Sequence, residues 1–545
     1  MSAQKTAQAQ AVPDAGAVRQ QIEQQRDVAG PRTTMPSILP GLKPAVGASA
    51  DGLRIQVRSF RVAGNTLLRT SEIEPVFSNF INRELNFSQL QQVADAVAAR
   101  YREAGWLVQA YLPEQDVSEG VITVQVVEAR FAGLRLEGGE PRRVRRSELE
   151  AFFSAAQQTG KPLNVDKLDR ALLIADDLPG VSLAGTLAPG AVDGETSLVL
   201  RATDEAPYFG EISLDNMGSR ATGSERVTAT LNINSPSEQG ELISITAMRS
   251  EGLVFGRAAF TAPAGYDGLR LGLNASSLEY RVVSGPGAGS AVQINGRSGS
   301  MGLDVNYPLL RARAQNVYLQ AGLDNKTFFT IDSRVRSDYA TNSIRLGVSA
   351  NLFDDWAGGG ANSASLQWTA GQLADMQAHS LLDSIDRSYH KWNFTFTRQQ
   401  TVSRNHTVAL VIQGQQAGQL LDSSERFYIG GAQSVRAYPA SELGGDRGRM
   451  ASVEWRWRAN EQWVGGPFID HGRVVSFPTI AGEQRTDLEL QGFGANLTWY
   501  GPKGLVAKLT WSRRDGKNPR PTATGTDSDG TLKLDRFWLA TSVQF

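Results

Sequence analysis

From about residue 205 to the C-terminus, hydrophobic and polar residues alternate along the chain with a period of two. Between Val227 and Asn234, every second residue is apolar and the residues between them are threonine or asparagine. The segments Trp392–Thr397, Val453–Arg458 and Leu505–Ser512 share this period. Because successive side chains of a β-strand point to opposite faces, the pattern predicts sheets with one apolar and one polar face.

Two kinds of protein contain such strands. A soluble β-sandwich or β-helix buries its apolar face and usually carries charges on the outer one. Here the polar faces are rich in Asn, Thr and Ser, the apolar faces carry many aromatic residues, and the chain contains 55 glycines. Aromatic girdles and a wet interior are typical of a membrane barrel. We therefore predict that residues 205–545 form a transmembrane antiparallel β-barrel, whose length accommodates about 16 strands.

Residues 54–204 have a different pattern, which occurs twice. The unit 54–128 is predicted to contain a strand over Ile55–Val62, two helices and two further strands. The unit 129–204 repeats this order, and a capping box at Ser147–Glu150 is predicted to open its first helix. Two consecutive units of one topology are an internal repeat, so we predict two α+β domains before the barrel.

Three short segments precede the repeat. Residues 1–13 are predicted to be a disordered leader. Residues 14–29 are predicted to form a helix that Asp14 caps, with a thin apolar stripe of Ala17, Val18 and Ile22. Such a helix could lie in a polar, water-filled cavity, as a plug, or it could be a frayed leader. Residues 30–53 contain four prolines and are predicted to be an extended linker.

The N-terminus carries no visible secretory signal, because Met1–Gln10 lacks an apolar core. The barrel interpretation therefore implies that such a signal has been removed. No run of about 18 apolar residues is present, which argues against a helical membrane span.

Composition and motifs also limit the possible chemistry. The net charge is −1, so no general field favours nucleic acid, and the absence of cysteine excludes disulfides and thiolate metal sites. None of the four histidines has a partner at metal-ligand spacing. His471 follows Asp470, but neighbours in a strand point to opposite faces. We therefore expect no catalytic residues, no metal, no cofactor and no nucleotide.

The order of these parts resembles the POTRA-plus-barrel superfamily, in which polypeptide-transport-associated (POTRA) domains precede a barrel. Two POTRA units, an N-terminal helix and a proline-rich linker are similar to the TpsB transporters of two-partner secretion, which export haemolysins, adhesins and contact-dependent inhibition proteins. Four stretches strengthen the resemblance: Asp215–Ser219 with Thr222-Gly223, Tyr307–Arg311, Phe427–Tyr438 and Phe468–Gly472.

The two later stretches imply a site inside the barrel. Phe427–Tyr438 resembles the Val-Arg-Gly-Tyr/Phe motif of a loop that folds into the lumen, although this chain has Ala437 where the family usually has glycine. Phe468–Gly472 resembles a Phe-x-Asp-x-Gly motif, so the resemblance implies that Arg436 reaches Asp470. The residues implied for this lumen-loop latch are Val435, Arg436, Ala437, Tyr438, Phe468, Asp470 and Gly472.

The chemistry of these residues is compatible with this site but does not establish that Arg436 lies in the lumen. The planar guanidinium of an arginine can bind a carboxylate at two points. Every second position of one strand is charged, so the charged side chains share one face and are expected to add charge to the lumen. These residues are Glu454, Arg456 and Arg458. From spacing alone, Arg436 could equally lie on an exposed loop and contact only water.

The resemblance implies a function for the whole chain, which would translocate an unfolded partner exoprotein across the outer membrane of a Gram-negative bacterium by type V secretion. Periplasmic POTRA units would capture a TpsA-type exoprotein by adding it to a sheet edge as a strand, and the barrel would act as a gated pore. Expected partners are that client and outer-membrane lipid or lipopolysaccharide, without nucleic acid. Alternatives are an assembly factor that inserts other barrels and a passive porin.

The basic run of Arg142, Arg143, Arg145 and Arg146 could be a solvated turn, or it could contact the client or the barrel rim.

Overall fold

The computed structural model describes residues 14–26, 39–40, 54–284, 294–332, 335–377, 387–478 and 484–545. The predicted disordered leader 1–13 and most of the predicted linker 30–53 lie outside these ranges. The N-terminal helix α1 is described over Ala15–Arg26, and residues 27–29 of its predicted range are also outside. From the linker, Leu39–Pro40 form a short strand, β1.

The first α+β unit contains two small sheets. Its elements are β2 (Arg54–Val57), β3 (Ser59–Ala63), α2 (Thr70–Ile73), β4 (Arg83–Asn86), α3 (Phe87–Glu103), β5 (Val108–Tyr111) and β6 (Val121–Glu128). The prediction of one strand over Ile55–Val62 is wrong, because the chain changes partner at Arg58. Strand β2 pairs with β4, whereas β3 pairs in parallel with β6.

The second unit forms one sheet with two helices on it. Its elements are β7 (Arg130–Glu137), α4 (Arg146–Ala156), α5 (Val165–Asp176), β8 (Val181–Pro189) and β9 (Glu195–Asp204), in the sheet order β1-β8-β9-β7. The predicted capping box is wrong, because α4 begins at Arg146 and places Ser147 inside its first turn. The start is displaced because the Arg145 N–H donates to the carbonyl of Glu238 in the barrel, at 3.0 Å.

Within the described ranges, sixteen antiparallel strands close into a barrel, as predicted. Its first eleven strands are β10 (Tyr208–Asp215), β11 (Arg226–Asn234), β12 (Leu242–Arg249), β13 (Leu253–Pro263), β14 (Arg270–Arg281), β15 (Asn295–Arg311), β16 (Gln315–Asp332), β17 (Val335–Asp354), β18 (Gly360–Gln377), β19 (Ser388–Ser403) and β20 (His406–Ala417). A long loop holding β21 (Phe427–Ile429) and β22 (Leu443–Gly445) follows. The last five are β23 (Arg447–Arg458), β24 (Trp463–Ser476), β25 (Thr486–Tyr500), β26 (Leu505–Asp515) and β27 (Asp535–Gln544).

The predicted alternation sets the two faces of this wall. Large apolar side chains are exposed on the outer face of many strands, among them Leu271, Leu303, Trp455, Trp457, Phe537 and Leu539. A barrel needs such an outer face because its wall contacts lipid. Among the described residues, no helix combines the length and hydrophobicity needed to cross a membrane.

The second unit is fixed to the rim of the barrel where short turns join the strands. Arg311, at the end of the Tyr307–Arg311 stretch, donates two hydrogen bonds to Asp177, at 2.8 and 2.9 Å. Arg313 pairs with Asp169 on α5, and the Phe152 ring meets Tyr266 edge-on at 5.3 Å. Because these contacts combine charge with ring packing, they hold the unit at a defined position under the lumen.

The basic run also contacts this rim. The Arg145 side chain donates to the carbonyl of Ser237, at 3.1 Å, in the turn between β11 and β12. The N–H groups of Arg142 and Arg143 donate to Asp204, at the end of β9. Of the interpretations offered for this run, contact with the barrel rim matches the geometry for Arg145.

Replacing Arg311 by alanine should loosen the second unit, because Asp177 loses both of its hydrogen bonds to the barrel. Spin labels on Gln158→Cys in the unit and Glu461→Cys in a barrel turn would report the distance distribution, since the chain has no other cysteine. We expect the distribution to broaden. The matched control is Arg201→Ala, which removes an exposed ion pair with Glu137 within the unit. An equally narrow distribution in both variants would contradict the docking role of Arg311.

The candidate functional site in the barrel lumen

The loop between β20 and β23, residues 418–446, folds back into the barrel and is called the lumen loop below. Its two short strands, β21 and β22, pair with each other. Gly430 and Gly431 have φ angles of 103° and 97°, which side chains other than glycine rarely adopt. The Gly431 N–H donates to the carbonyl of Tyr438 at 3.0 Å, so this glycine pair closes the tip of the loop.

Apolar contacts seat the tip against the inner wall. Val435, Ala437 and Tyr438 are at most 1% exposed and share one cluster with wall residues of β23, β24 and β25. Gly472 makes room for them, because a Cβ atom there would lie 2.8 Å from Val435 Cγ2. A Cβ at Gly492 would lie 2.4 Å from that of Ala437, so the glycine on β25 accommodates the methyl group of Ala437. Ala437 has no positive φ and needs no glycine.

Arg436 is the most heavily bonded residue of the tip. Its Nε and Nη2 atoms donate to the two oxygens of Asp470 at 2.9 and 2.8 Å, and its N–H donates to the same carboxylate at 3.1 Å. Nη1 donates to Glu454 at 2.9 Å, and Nη2 to Ser452 at 2.9 Å. The guanidinium carbon lies 3.2 Å from the centre of the Phe468 ring. Asp470 is fully buried, and Arg436 is the cation that is ion-paired with it, so this carboxylate depends on Arg436 for its charge balance.

Two residues that the sequence did not point to complete this contact. Ser512 Oγ and Trp538 Nε1 both donate to the carbonyl oxygen of Arg436, at 2.7 and 2.8 Å. They lie on β26 and β27, so the tip is bonded to strands next to the point where the barrel closes. A weak sequence signal exists, because the alternation places Ser512 and Trp538 on the lumen face, but many other residues share that property.

The three predicted lumen charges behave differently. Glu454 binds Arg436 and also accepts a hydrogen bond from Arg456, at 2.6 Å. Arg458 lies at the end of β23 that faces the short-turn rim, where its N–H donates to the carbonyl of Asn405, and its side chain is exposed. In the described part of the chain, no three His, Asp or Glu side chains are grouped so that they could hold a metal ion.

Helix α1 lies inside the same lumen. Asp14 caps the helix by accepting from the Ala17 N–H at 2.8 Å, and it also accepts from Ser423 of the lumen loop, at 2.7 Å. The Ala15 N–H donates to Thr330 of β16 at 3.2 Å. Of the two interpretations offered for this helix, a position in a polar cavity is therefore the one observed.

The polar face of α1 binds the wall through charges and hydroxyl groups. Arg19 donates to Ser276 at 2.9 Å, to Ser298 at 3.2 Å and to Ser300, and it pairs with Glu23 one turn later. Lys326 of β16 lies 3.0 Å from Glu23. A cavity of about 570 Å³ remains beside this face, which leaves room for water around the contacts.

The thin apolar stripe of α1 is buried as well. Ala15, Val18 and Ile22 pack in one cluster with apolar and aromatic residues of the lumen wall, and none of the three is more than 5% exposed. Ala17, Val18 and Ile22 were predicted to form this stripe. Val18 and Ile22 belong to the cluster, and Ala17 is buried as well.

One lysine joins the helix to the lumen loop. Lys326 Nζ lies between Glu23 of α1, at 3.0 Å, and Glu425 of the lumen loop, at 3.5 Å. Lys391 of β19 holds Glu425 from the other side, at 2.7 Å. Together with the Asp14–Ser423 contact, these pairs make α1 and the lumen loop one connected obstruction.

Replacing Arg436 by alanine should destabilise the barrel by about 3–5 kcal/mol, because Asp470 would remain buried without its cation. The readout is the temperature at which the folded barrel converts to its unfolded migration on a denaturing gel, which should fall. Arg473→Ala is the matched control, because it removes an exposed pair with Asp487, formed at 2.8 Å, which water screens. Equal conversion temperatures for the two variants would contradict a dependence of the barrel on Arg436.

Comparisons with known proteins agree with this architecture. The family model described as haemolysin secretion/activation protein ShlB/FhaC/HecB matches residues 194–498, and a ShlB-type POTRA domain model matches residues 55–129. The heme/hemopexin transporter protein HuxB of Haemophilus influenzae is 22% identical over 517 residues, which cover 91% of this chain and 90% of that protein.

Solved structures share the fold. The structure of CdiB from Escherichia coli covers 93% of this chain and 94% of its own, with a TM-score of 0.74 and 20% identity. That of CdiB from Acinetobacter baumannii covers 98% of this chain and 100% of its own, with a TM-score of 0.70 and 17% identity. The chain belongs to the ShlB/FhaC/HecB family of haemolysin secretion/activation proteins, and it is a TpsB-type outer-membrane transporter of two-partner secretion whose POTRA units lie in the periplasm.

Proposed function

We propose that this transporter exports an unfolded TpsA-type exoprotein through the barrel lumen, which α1 and the lumen loop close at rest. The position of α1 supports this most strongly, because the helix lies inside the lumen and contacts the lumen loop through Asp14 and Ser423. A passing chain would have to displace both elements. The proposal gives the transporter no catalytic role and requires neither nucleotide nor nucleic acid.

The contacts of α1 suit an element that leaves and returns. Most of them join Asp14, Arg19 and Glu23 to hydroxyl groups or charges of a hydrated lumen. Each such hydrogen bond involves a charged side chain and contributes a net stability of about 1.5–3 kcal/mol, and water can replace either partner when the helix leaves. The apolar stripe is short, since only three small or medium side chains of α1 join the cluster. Displacement of the helix therefore breaks a limited set of contacts whose partners water can solvate.

The lumen loop is held more firmly than α1. Arg436 makes a buried, two-point contact with Asp470, and its carbonyl is fixed by Ser512 and Trp538. We propose that the residues of the lumen-loop latch keep this loop in place while α1 moves. These residues are Val435, Arg436, Ala437, Tyr438, Phe468, Asp470 and Gly472. Glu454 and Arg456 extend the charge network of this latch.

The alternative function, insertion of other barrels, would require the first and last strands to separate. Strand β10 pairs with β27 from Glu211–Gln544 to Asp215–Ala540. Beyond the end of β10, the Asn216 side chain continues this pairing: it donates to the carbonyl of Phe537 at 3.1 Å and accepts from the Leu539 N–H at 2.8 Å. A closed seam of this kind favours transport through the lumen over release through the wall. The outer apolar face would contact outer-membrane lipid or lipopolysaccharide.

Export can be tested by expressing the transporter together with a TpsA-type exoprotein from the same organism, and by measuring that exoprotein in the medium. We expect release with the intact transporter and strong loss of release with Arg436→Lys, because an ammonium group cannot replace a fork that contacts Asp470, Glu454 and Ser452. Arg473→Lys serves as the matched control and should export normally. Equal release with and without the transporter would refute the proposed function.

A further inference from the structure

The outer wall of the barrel carries a groove over β12–β19, with a volume of about 1320 Å³. Between its larger side chains lie the small ones of Ala258, Ala275 and Ala370, which give the groove its depth. The exposed apolar side chains that line it are Phe260, Leu273, Leu303, Leu323 and Ile344. Because these side chains are exposed on the outer face, the groove opens to the membrane and has room for acyl chains.

A row of polar side chains crosses the extracellular end of this groove. Asn325 pairs with Asn342, Asn342 with Gln372, and Gln372 with Ser388. Paired residues share a face, and all four side chains are exposed and line the groove. Asn325 Nδ2 donates to Asn342 Oδ1 at 2.7 Å, which leaves further donors and acceptors on both amides. An amide beside lipid needs a polar partner, so this row favours a lipid that carries amide or hydroxyl groups next to its acyl chains.

The strands under this row extend well beyond the membrane. Strand β16 has 18 residues and β17 has 20, whereas about 9–11 residues cross a bilayer. At the opposite end of these strands, Arg313 directly precedes β16 and pairs with Asp169 of the second POTRA unit. The ends beyond Asn325 therefore stand on the extracellular side, at the level of lipid headgroups and sugars.

Two arginines share one aromatic ring at this level. Arg297 of β15 is paired in register with Phe329 of β16. The guanidinium carbons of Arg297 and Arg336 each lie 5.0 Å from the centre of the Phe329 ring, and both side chains are exposed. The ring attracts both cations and holds two like charges close together. A phosphate group would neutralise both and accept hydrogen bonds from both guanidinium forks.

The neighbouring charges leave a cationic surplus. Near the extracellular ends of β14–β17, the described residues of the outer face include three exposed arginines and two carboxylates. Glu279 lies opposite Arg297 in register, and Asp338 lies 3.5 Å from Arg336. Arg281 is the third arginine, and its side chain donates to the carbonyl of Glu251. An anion is therefore favoured at this face.

The order of these features along the strands fits one lipid. From Asn325 to Phe329 the strand rises by about 13 Å. Between these two levels, the paired positions are Gly299, Thr327 and Ala340, whose small side chains leave room for a sugar ring. Acyl chains, amide groups, a sugar and a phosphate follow one another in the same order in lipopolysaccharide, the lipid of the outer leaflet.

We propose that the groove over β12–β19 binds one lipopolysaccharide molecule. Its acyl chains lie against the apolar side chains, its amide groups meet Asn325 and Asn342, and a phosphate binds Arg297 and Arg336. A phospholipid would present esters in place of amides, and it has no sugar ring for the small residues. The site faces away from the lumen, so its occupancy is separate from the export of a client.

Native mass spectrometry of the full-length transporter in detergent can test this site, by titration with lipopolysaccharide whose lipid A is phosphorylated. The test variant is Arg297→Gln/Arg336→Gln. The matched control, Arg473→Gln/Arg513→Gln, also removes two exposed arginines near the extracellular ends of outer strand faces. We expect the intact chain and the control to bind one molecule with equal affinity, and the test variant to bind about tenfold more weakly. Equal affinities of the test variant and the control would overturn the proposal.

Titration with other lipids identifies the groups that are bound. Lipopolysaccharide without its lipid A phosphates should bind the intact chain about tenfold more weakly, and the test variant should not distinguish the two forms. Asn325→Leu/Asn342→Leu removes the amides without changing the charge and should weaken the binding of both forms. Each variant exchanges exposed side chains, and migration of the folded barrel on a gel verifies that it has folded. If phosphatidylglycerol binds the intact chain as tightly as lipopolysaccharide does, the groove is a general site for acidic lipids and the proposal is wrong.

Discussion

A barrel of sixteen strands in a membrane must close on itself so that its backbone N–H and C=O groups are hydrogen-bonded, and the rest of the structure depends on this constraint. A closed barrel encloses a lumen, which is lined by polar side chains. This lumen cannot be filled by an ordinary apolar core. It is filled by elements that combine small apolar clusters with charges and hydroxyl groups, as with Arg19 against Ser276 and Ser298. The polar contacts can be replaced by water, so the lumen can be closed at rest and still be opened. A stable barrel therefore has a polar lumen, and a polar lumen can bind an obstructing element reversibly.

The lumen loop and helix α1 obstruct the lumen in different ways. The lumen loop is fixed at one buried cation, Arg436, which the wall holds through its side chain and its carbonyl. Helix α1 is attached by dispersed contacts and by Lys326, which it shares with the loop. The second POTRA unit is fixed to the rim by Arg311, which donates to Asp177 of that unit. Docking of the second unit, a firmly held loop and a helix held by dispersed contacts are the arrangement that the proposed route of export requires.

Much of this fold can be predicted from sequence, because alternation of apolar and polar residues is a property of each strand by itself. The barrel, its number of strands and the two α+β units follow from such local patterns. The start of α4 does not, because Arg145 is held by a barrel turn that is distant in sequence. Strand β1 is only two residues long and has no period to detect. In the site, the meeting of Arg436 and Asp470 follows from the family resemblance, whereas Ser512 and Trp538 bind a backbone carbonyl and leave no motif. Domain boundaries at 128 and 204 and the role of the latch stay predictions.

The central claim is that the lumen is a continuous path which α1 obstructs at rest. The ionic current through single transporters in a planar lipid bilayer tests it most directly, by comparison of the full chain with a variant that lacks residues 14–29. Because α1 fills the lumen beside a cavity of about 570 Å³, the account predicts a clearly larger and steadier current for the variant. A current that is the same in both proteins would contradict the account, since the lumen loop alone would then close the path.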